Sequence, residues 1–85
     1  MKASVFDTYV RKEDKSLMHF DILVPEEASF EQVQAFGKAY LEKKGLGNLS
    51  LTSKECRFCH IEEANPVLAA QLETEGHAII ELNNC

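Results

Sequence analysis

Two groups of residues in this chain carry side chains able to do chemistry. The first is Cys56-Arg57-Phe58-Cys59-His60-Ile61-Glu62-Glu63, which holds two of the three cysteines and one of the three histidines. C-x-x-C-H is a haem-attachment string, with two thioether bonds to the porphyrin and His60 on the iron, and Met18 or His77 as axial partner. The same thiols, ionised, would bind zinc with His60, His77 or Cys85 completing a tetrahedral set. Thiol redox work would need Cys56 at a helix N-terminus to lower its pKa, with Cys59 resolving. The structural use makes both cysteines small buried hydrophobes and leaves His60 bonded to a carboxylate such as Glu62.

Local conformation gates these uses. Thr52-Ser53-Lys54-Glu55 matches a capping box and would start a helix at Ser53. The weak helix formers that follow, and the stop at Asn65-Pro66, favour a strand instead. On a regular strand Cys56, Phe58 and His60 share one face and Arg57, Cys59 and Ile61 the other. The two thiols then diverge and cannot grip one ion. Zinc at Cys56, Cys59 and His60 is expected only if the segment turns or coils. Covalent haem is disfavoured further, because the chain has no export signal and opens on a hairpin, whereas small cytochromes of this kind are helical.

The second group is Asp7, Tyr9, His19 and Asp21. It depends on a hairpin whose register opposes Thr8 to Phe20, which aligns all four on one face. Two carboxylates and a histidine there could bind a metal or move a proton. A one-residue slip disperses them. A solvated face with cross-strand hydrogen bonds is the plainer expectation.

The elements that must position these groups follow from pattern. Ala3 to Val10 and Leu17 to Val24 are rich in β-branched and aromatic residues and flank the charged turn Arg11 to Ser16, which predicts an antiparallel hairpin. Met18, Phe20, Ile22 and Val24 form its core face, and Pro25 ends the second strand. Ser29-Phe30-Glu31-Gln32 is a capping box, and Val33, Phe36, Gly37, Tyr40 and Leu41 recur at helical spacing, so a helix runs from Phe30 to Lys44. Leu49 and Leu51 tuck in beside the core. Asn65, Pro66 and Gly76 bracket a second helix that covers the sheet with Leu68 and Leu72. Ala78, Ile79, Ile80 and Leu82 read as a central strand, apolar on both faces.

Composition narrows the function classes. Fourteen acidic against nine basic residues give a net charge of −5. Basic residues are scattered or paired with acids, which argues against nucleic acid as a partner. An acidic membrane surface would repel the chain, and no apolar run approaches the ~20 residues that span a bilayer. The N-terminus lacks the apolar core of a signal peptide, so a cytoplasmic setting with reduced cysteines is expected. Three cysteines, an odd number, also argue against a disulfide framework.

Phe6-Asp7-Thr8-Tyr9-Val10, Met18-His19-Phe20-Asp21 and Glu55-Cys56-Arg57-Phe58-Cys59-His60, in this order and spacing, resemble the small bacterial family known as domain of unknown function 2024. The likeness extends to the closing Ile79-Ile80 strand and Cys85, and departs at His77-Ala78, where the family carries aromatic residues after the glycine. It implies a single α+β domain with no assigned activity, and so lends no catalytic residue.

The fold expected is one α+β domain over residues 1–85, in the order β-β-α-β-α-β. A mixed sheet carries the hairpin, with both helices on one face. The function expected is non-enzymatic binding, self-association among its modes, with the cysteines structural. The alternative is a metal or thiol module at Cys56, Cys59 and His60.

Overall fold

A computed structural model describes residues 1–85. Its elements are β1 (Lys2–Arg11), β2 (Leu17–Pro25), α1 (Phe30–Lys43), β3 (Cys56–Glu63), α2 (Pro66–Glu75) and β4 (Ala78–Asn83). The expected order and the α+β class hold. The four strands form one sheet in the order β3-β1-β2-β4.

Every neighbouring pair in that sheet is antiparallel, which corrects the mixed sheet. The crossover through α1 carries the chain from β2 past β1 to the far edge. β2 and β3 therefore run in the same direction without touching, because β1 lies between them. The closing strand is likewise not central. β4 pairs only with β2, and Ile80 and Leu82 are exposed.

The hairpin sets the register of the whole sheet. Asp14 caps the turn by accepting from the Ser16 amide and hydroxyl, and Lys15 takes a positive φ. The resulting pairing sets Thr8 opposite Phe20, the register on which the hairpin group depends. Met18, Phe20, Ile22 and Val24 are all fully buried on one face, packed with Val33 and Leu41 of α1, Leu51 and Cys56.

α1 begins at the expected capping box, with Ser29 Oγ accepting from the Gln32 amide and Gln32 Oε1 accepting from the Ser29 amide. Its buried line is Val33, Gly37 and Leu41. Gly37 lets the helix come close: a Cβ there would lie 2.3 Å from Leu51 Cδ2 and 2.9 Å from Ile22 Cδ1.

α2 starts at Asn65, whose side chain accepts from the Leu68 amide, and ends at Gly76 in the left-handed conformation. It packs on the opposite face from α1, which corrects the placement of both helices on one side. Leu72 joins Ala3, Val5, Leu23 and Ala78 there, with Leu68 alongside. These sheet residues alternate with those under α1, so they face the other way. Burying a leucine contributes about 1.5–3 kcal/mol, and Leu23 had no other cover available. The apolar end of this second face takes the helix. Its other end, where Asp7, Tyr9, His19 and Asp21 sit, stays open.

Candidate functional site

Residues 52–63 satisfy both of the local signals that conflicted in the sequence. Glu55 Oε1 accepts from the Thr52 amide and hydroxyl, and Thr52 Oγ1 accepts from the Lys54 amide, so the capping interactions form. They close a turn rather than start a helix, and β3 begins at Cys56. The sheet claims the segment because β1 offers a full row of hydrogen-bonding partners.

β3 is not a regular strand. Phe58 pairs with Phe6 and His60 with Val5, so Cys59 is an extra residue. This β-bulge shifts the facing of everything after it by one position. Cys56, Phe58 and Ile61 now share the α1 side, whereas Arg57, Cys59, His60 and Glu62 share the open side. The regular alternation read from the sequence, with Cys59 beside Ile61 and His60 beside Phe58, is corrected accordingly.

Cys56 is buried in the α1-side core, and Cys59 is exposed on the other face. The structure does not bring Cys56 together with Cys59 and His60, so the metal set expected from the C-x-x-C-H string does not assemble within one chain. Burial pushes the Cys56 thiol up. Slight desolvation, then Asp7 and Asp21, push Cys59 up as well. Both directions are the reverse of the lowered thiol pKa that redox work calls for.

The hairpin group does assemble. Asp7 lies directly opposite Asp21, and Tyr9 opposite His19, near the middle of the two central strands. His19 Nε2 is 3.9 Å from Asp21 Oδ1 and 4.0 Å from Asp7 Oδ1. The side chains of His19 and Asp21 are 23% and 20% exposed. Tyr9 stacks flat on His19, with ring centroids 4.0 Å apart, and so fixes the plane of the imidazole. One ligand atom from each of Asp7, His19 and Asp21 lies within 4.8 Å of the others.

Two atoms of this cluster are out of water and without a protein partner: His19 Nε2 and Asp21 Oδ1. Desolvation, then the Asp7 carboxyl set directly opposite, push the Asp21 carboxyl up to about 6. His19 and His60 oppose the shift only in part.

Cys59 and His60 border the cluster, which the regular strand pattern did not reveal. Cys59 lies beside the Asp7 carboxylate. Its Sγ is 3.2 Å from His60 Nδ1, and His60 Nε2 is 3.0 Å from Glu62 Oε1, the contact expected for this histidine. Asp7, Tyr9, Lys54, Glu55, Arg57, Phe58 and Cys59 line a shallow cavity of about 470 Å³ next to the cluster.

Residues 1–82 match the family described as Domain of unknown function (DUF2024). The chain belongs to this family. It is also 33% identical to protein NE1680 from Nitrosomonas europaea, whose NMR structure superposes with a TM-score of 0.86 over 100% of this chain and 99% of that one. No curated protein matches the chain. The family assigns no activity, and the chemistry must be argued from the site.

A second polar group on this DUF2024 domain has a structural task. Tyr40 and Lys44 of α1 both bond Glu81 of β4, Lys44 at 2.7 Å, and Lys44 also lies over the Tyr40 ring. Burial and Glu81 push the Tyr40 hydroxyl up, and Lys44 with Tyr40 holds Glu81 down. All three side chains there are partnered, in contrast to His19 Nε2 and Asp21 Oδ1. No helix in the domain is long and apolar enough to cross a membrane.

Proposed function

We propose that this domain is a divalent-cation binding module, with Asp7, His19 and Asp21 as its protein ligands and zinc as the ion that suits them best. The observation that carries the proposal is the pair of unpartnered atoms, His19 Nε2 and Asp21 Oδ1, set against the Asp7 carboxylate. A polar atom left unpaired out of water costs about 1–3 kcal/mol. Like charges directly opposite on neighbouring strands add to that cost. One cation between the three side chains relieves both at once.

The donor set supports the choice of ion. An imidazole beside two carboxylates suits zinc and its transition-metal neighbours better than magnesium or calcium, which take oxygen ligands. Ligands about 2.1 Å from a tetrahedral zinc stand about 3.4 Å apart, so the observed 3.9 and 4.0 Å separations close with small side-chain rotations. Tyr9 stacking holds the imidazole in place for that closure. Three protein ligands leave a further position toward the open face, where Cys59 sits beside Asp7.

Protein purified without an affinity tag and incubated with zinc should carry about one equivalent per chain by elemental analysis. His19→Ala should weaken zinc binding at least ~10-fold, while Cys56→Ala should leave it unchanged, since Cys56 lies on the other face. Substoichiometric zinc after incubation, or equal affinity in His19→Ala, would overturn the proposal.

A further inference from the structure

β3 is an edge strand, paired with β1 on one side only. Apart from Cys56 every residue in it is exposed, including Phe58 at 55% and Ile61 at 43%. These two apolar side chains sit on the α1 side, beside Phe6, whose ring is 5.7 Å from that of Phe58. An unpaired backbone edge with apolar side chains is a template for another strand. What distinguishes this edge is which strand fits it.

In an antiparallel pair, residues directly opposite share a face. A strand that pairs with its own copy must therefore read the same, face by face, in both directions. A regular eight-residue strand does so only in registers that leave one end unpaired. The bulge changes this. From Cys56 to Glu63 the facing runs α1 side, open, α1 side, open, open, α1 side, open, α1 side, a palindrome centred on the peptide between Cys59 and His60. Only the register centred there pairs the whole strand. A bulge usually blunts an edge; placed at the midpoint, this one makes the edge self-complementary.

That register also matches the chemistry. It sets Arg57 against Glu62 of the second copy and Phe58 against its Ile61, each pair occurring twice about the two-fold axis. Opposite charges meet on the open face, and Phe58 meets Ile61 on the other, with Cys56 and Glu63 opposed at the two ends. Cys59 and His60 of one copy face His60 and Cys59 of the second. The opposite edge has no such match: Glu81 of β4 is tied to Lys44 and Tyr40, and Asn84 and Cys85 fold back onto β2.

We propose that two copies of this chain associate through β3, antiparallel and centred on Cys59–His60, to give one continuous eight-stranded sheet. The dimer is a surface property independent of the ion proposed for Asp7, His19 and Asp21. Its contact is small, so it forms reversibly at micromolar concentrations and above rather than as a permanent pair.

Sedimentation equilibrium on the full chain, with chelator present, tests it. The wild type should show a monomer–dimer equilibrium. Arg57→Glu and Glu62→Arg should each be monomeric, because each sets like charges opposite one another twice. Mixed in equal amounts, the two variants should dimerise again, since positions 57 and 62 then set opposite charges against each other in both pairs; that rescue also shows that both fold. In a Cys85→Ser background, mild oxidation should cross-link the chains through Cys59, and Cys59→Ser should abolish the cross-link. A wild type monomeric to millimolar concentration, a dimer that survives both charge reversals, or a mixture that stays monomeric would overturn the proposal.

Discussion

The two faces of the hairpin are built from alternate residues of the same two strands, yet they are organised by opposite rules. Under α1, Phe6, Val10, Met18, Phe20, Ile22 and Val24 are buried and apolar, and Gly37 removes even a methyl group so that helix and sheet can meet. On the other face α2 covers Ala3, Val5 and Leu23, then stops. Beyond it, two acids are set directly opposite each other beside a histidine whose Nε2 has no hydrogen-bond partner. One face is arranged for stability. The other gives stability up at one place, and such local sacrifices in an otherwise consistent fold mark functional sites.

Truncating the packed face should have the largest effect. Phe20→Ala removes a fully buried ring and should destabilise the domain by about 3–5 kcal/mol in urea denaturation. The same truncation at Tyr9, half-exposed on the open face, should cost no more than about 1 kcal/mol. Equal losses at the two positions would erase the contrast.

Gly37→Ala probes how close that packing is. Alanine is the better helix former by about 1 kcal/mol, but its methyl group collides with buried Leu51 and Ile22. Overpacking should win, leaving the variant about 1–2 kcal/mol less stable. A gain in stability would show that α1 is held more loosely than the structure describes.

On the open face the sign reverses. Asp21 titrates near 6 in the folded state against an ordinary value of 3.8, so between these the folded state holds the extra proton. Asp21's own contribution to metal-free stability should therefore fall as pH rises from about 4 through 6, against the opposite slope of carboxylates held down elsewhere, such as Glu81 and Glu55. Asp21→Asn should abolish that fall and leave the variant more stable than wild type above pH 6, by on the order of 1 kcal/mol after solvent screening. The raised pKa also means that zinc competes with a proton, and binding should weaken below pH 6. A stability difference between wild type and Asp21→Asn that stays constant between pH 4 and 6 would contradict the assigned environment of Asp21.

The hairpin group was legible only as a condition: burying Met18, Phe20, Ile22 and Val24 together sets one face of β2, but the register against β1 is fixed by the closed turn, which the pattern did not specify. Once Thr8 opposes Phe20, Asp7 and Asp21 have nowhere else to go. Both helix starts were legible in Ser29 and Asn65. The bulge at Cys59 was not, since no glycine or proline marks it and only pairing with β1 reveals it. That one residue decides which face His60 and Ile61 occupy. The side of the sheet taken by α2 was obscured as well. Leu23, out of phase with the core face of β2, was the sign of a second apolar face, but Leu17, the other apolar residue on that face, lies at the far end of the strand and is exposed. β4 read as central because Ile79 and Ile80 are both apolar; in the fold Ile79 packs inward and Ile80 stays exposed.

The site itself can be tested directly by titrating zinc into the metal-free protein and following the backbone amides and histidine rings by two-dimensional NMR. The change should saturate at one equivalent and be led by His19, Asp7 and Asp21, with the His77 ring unmoved. No saturable change, or one confined to His60, His77 and Cys85, would contradict it.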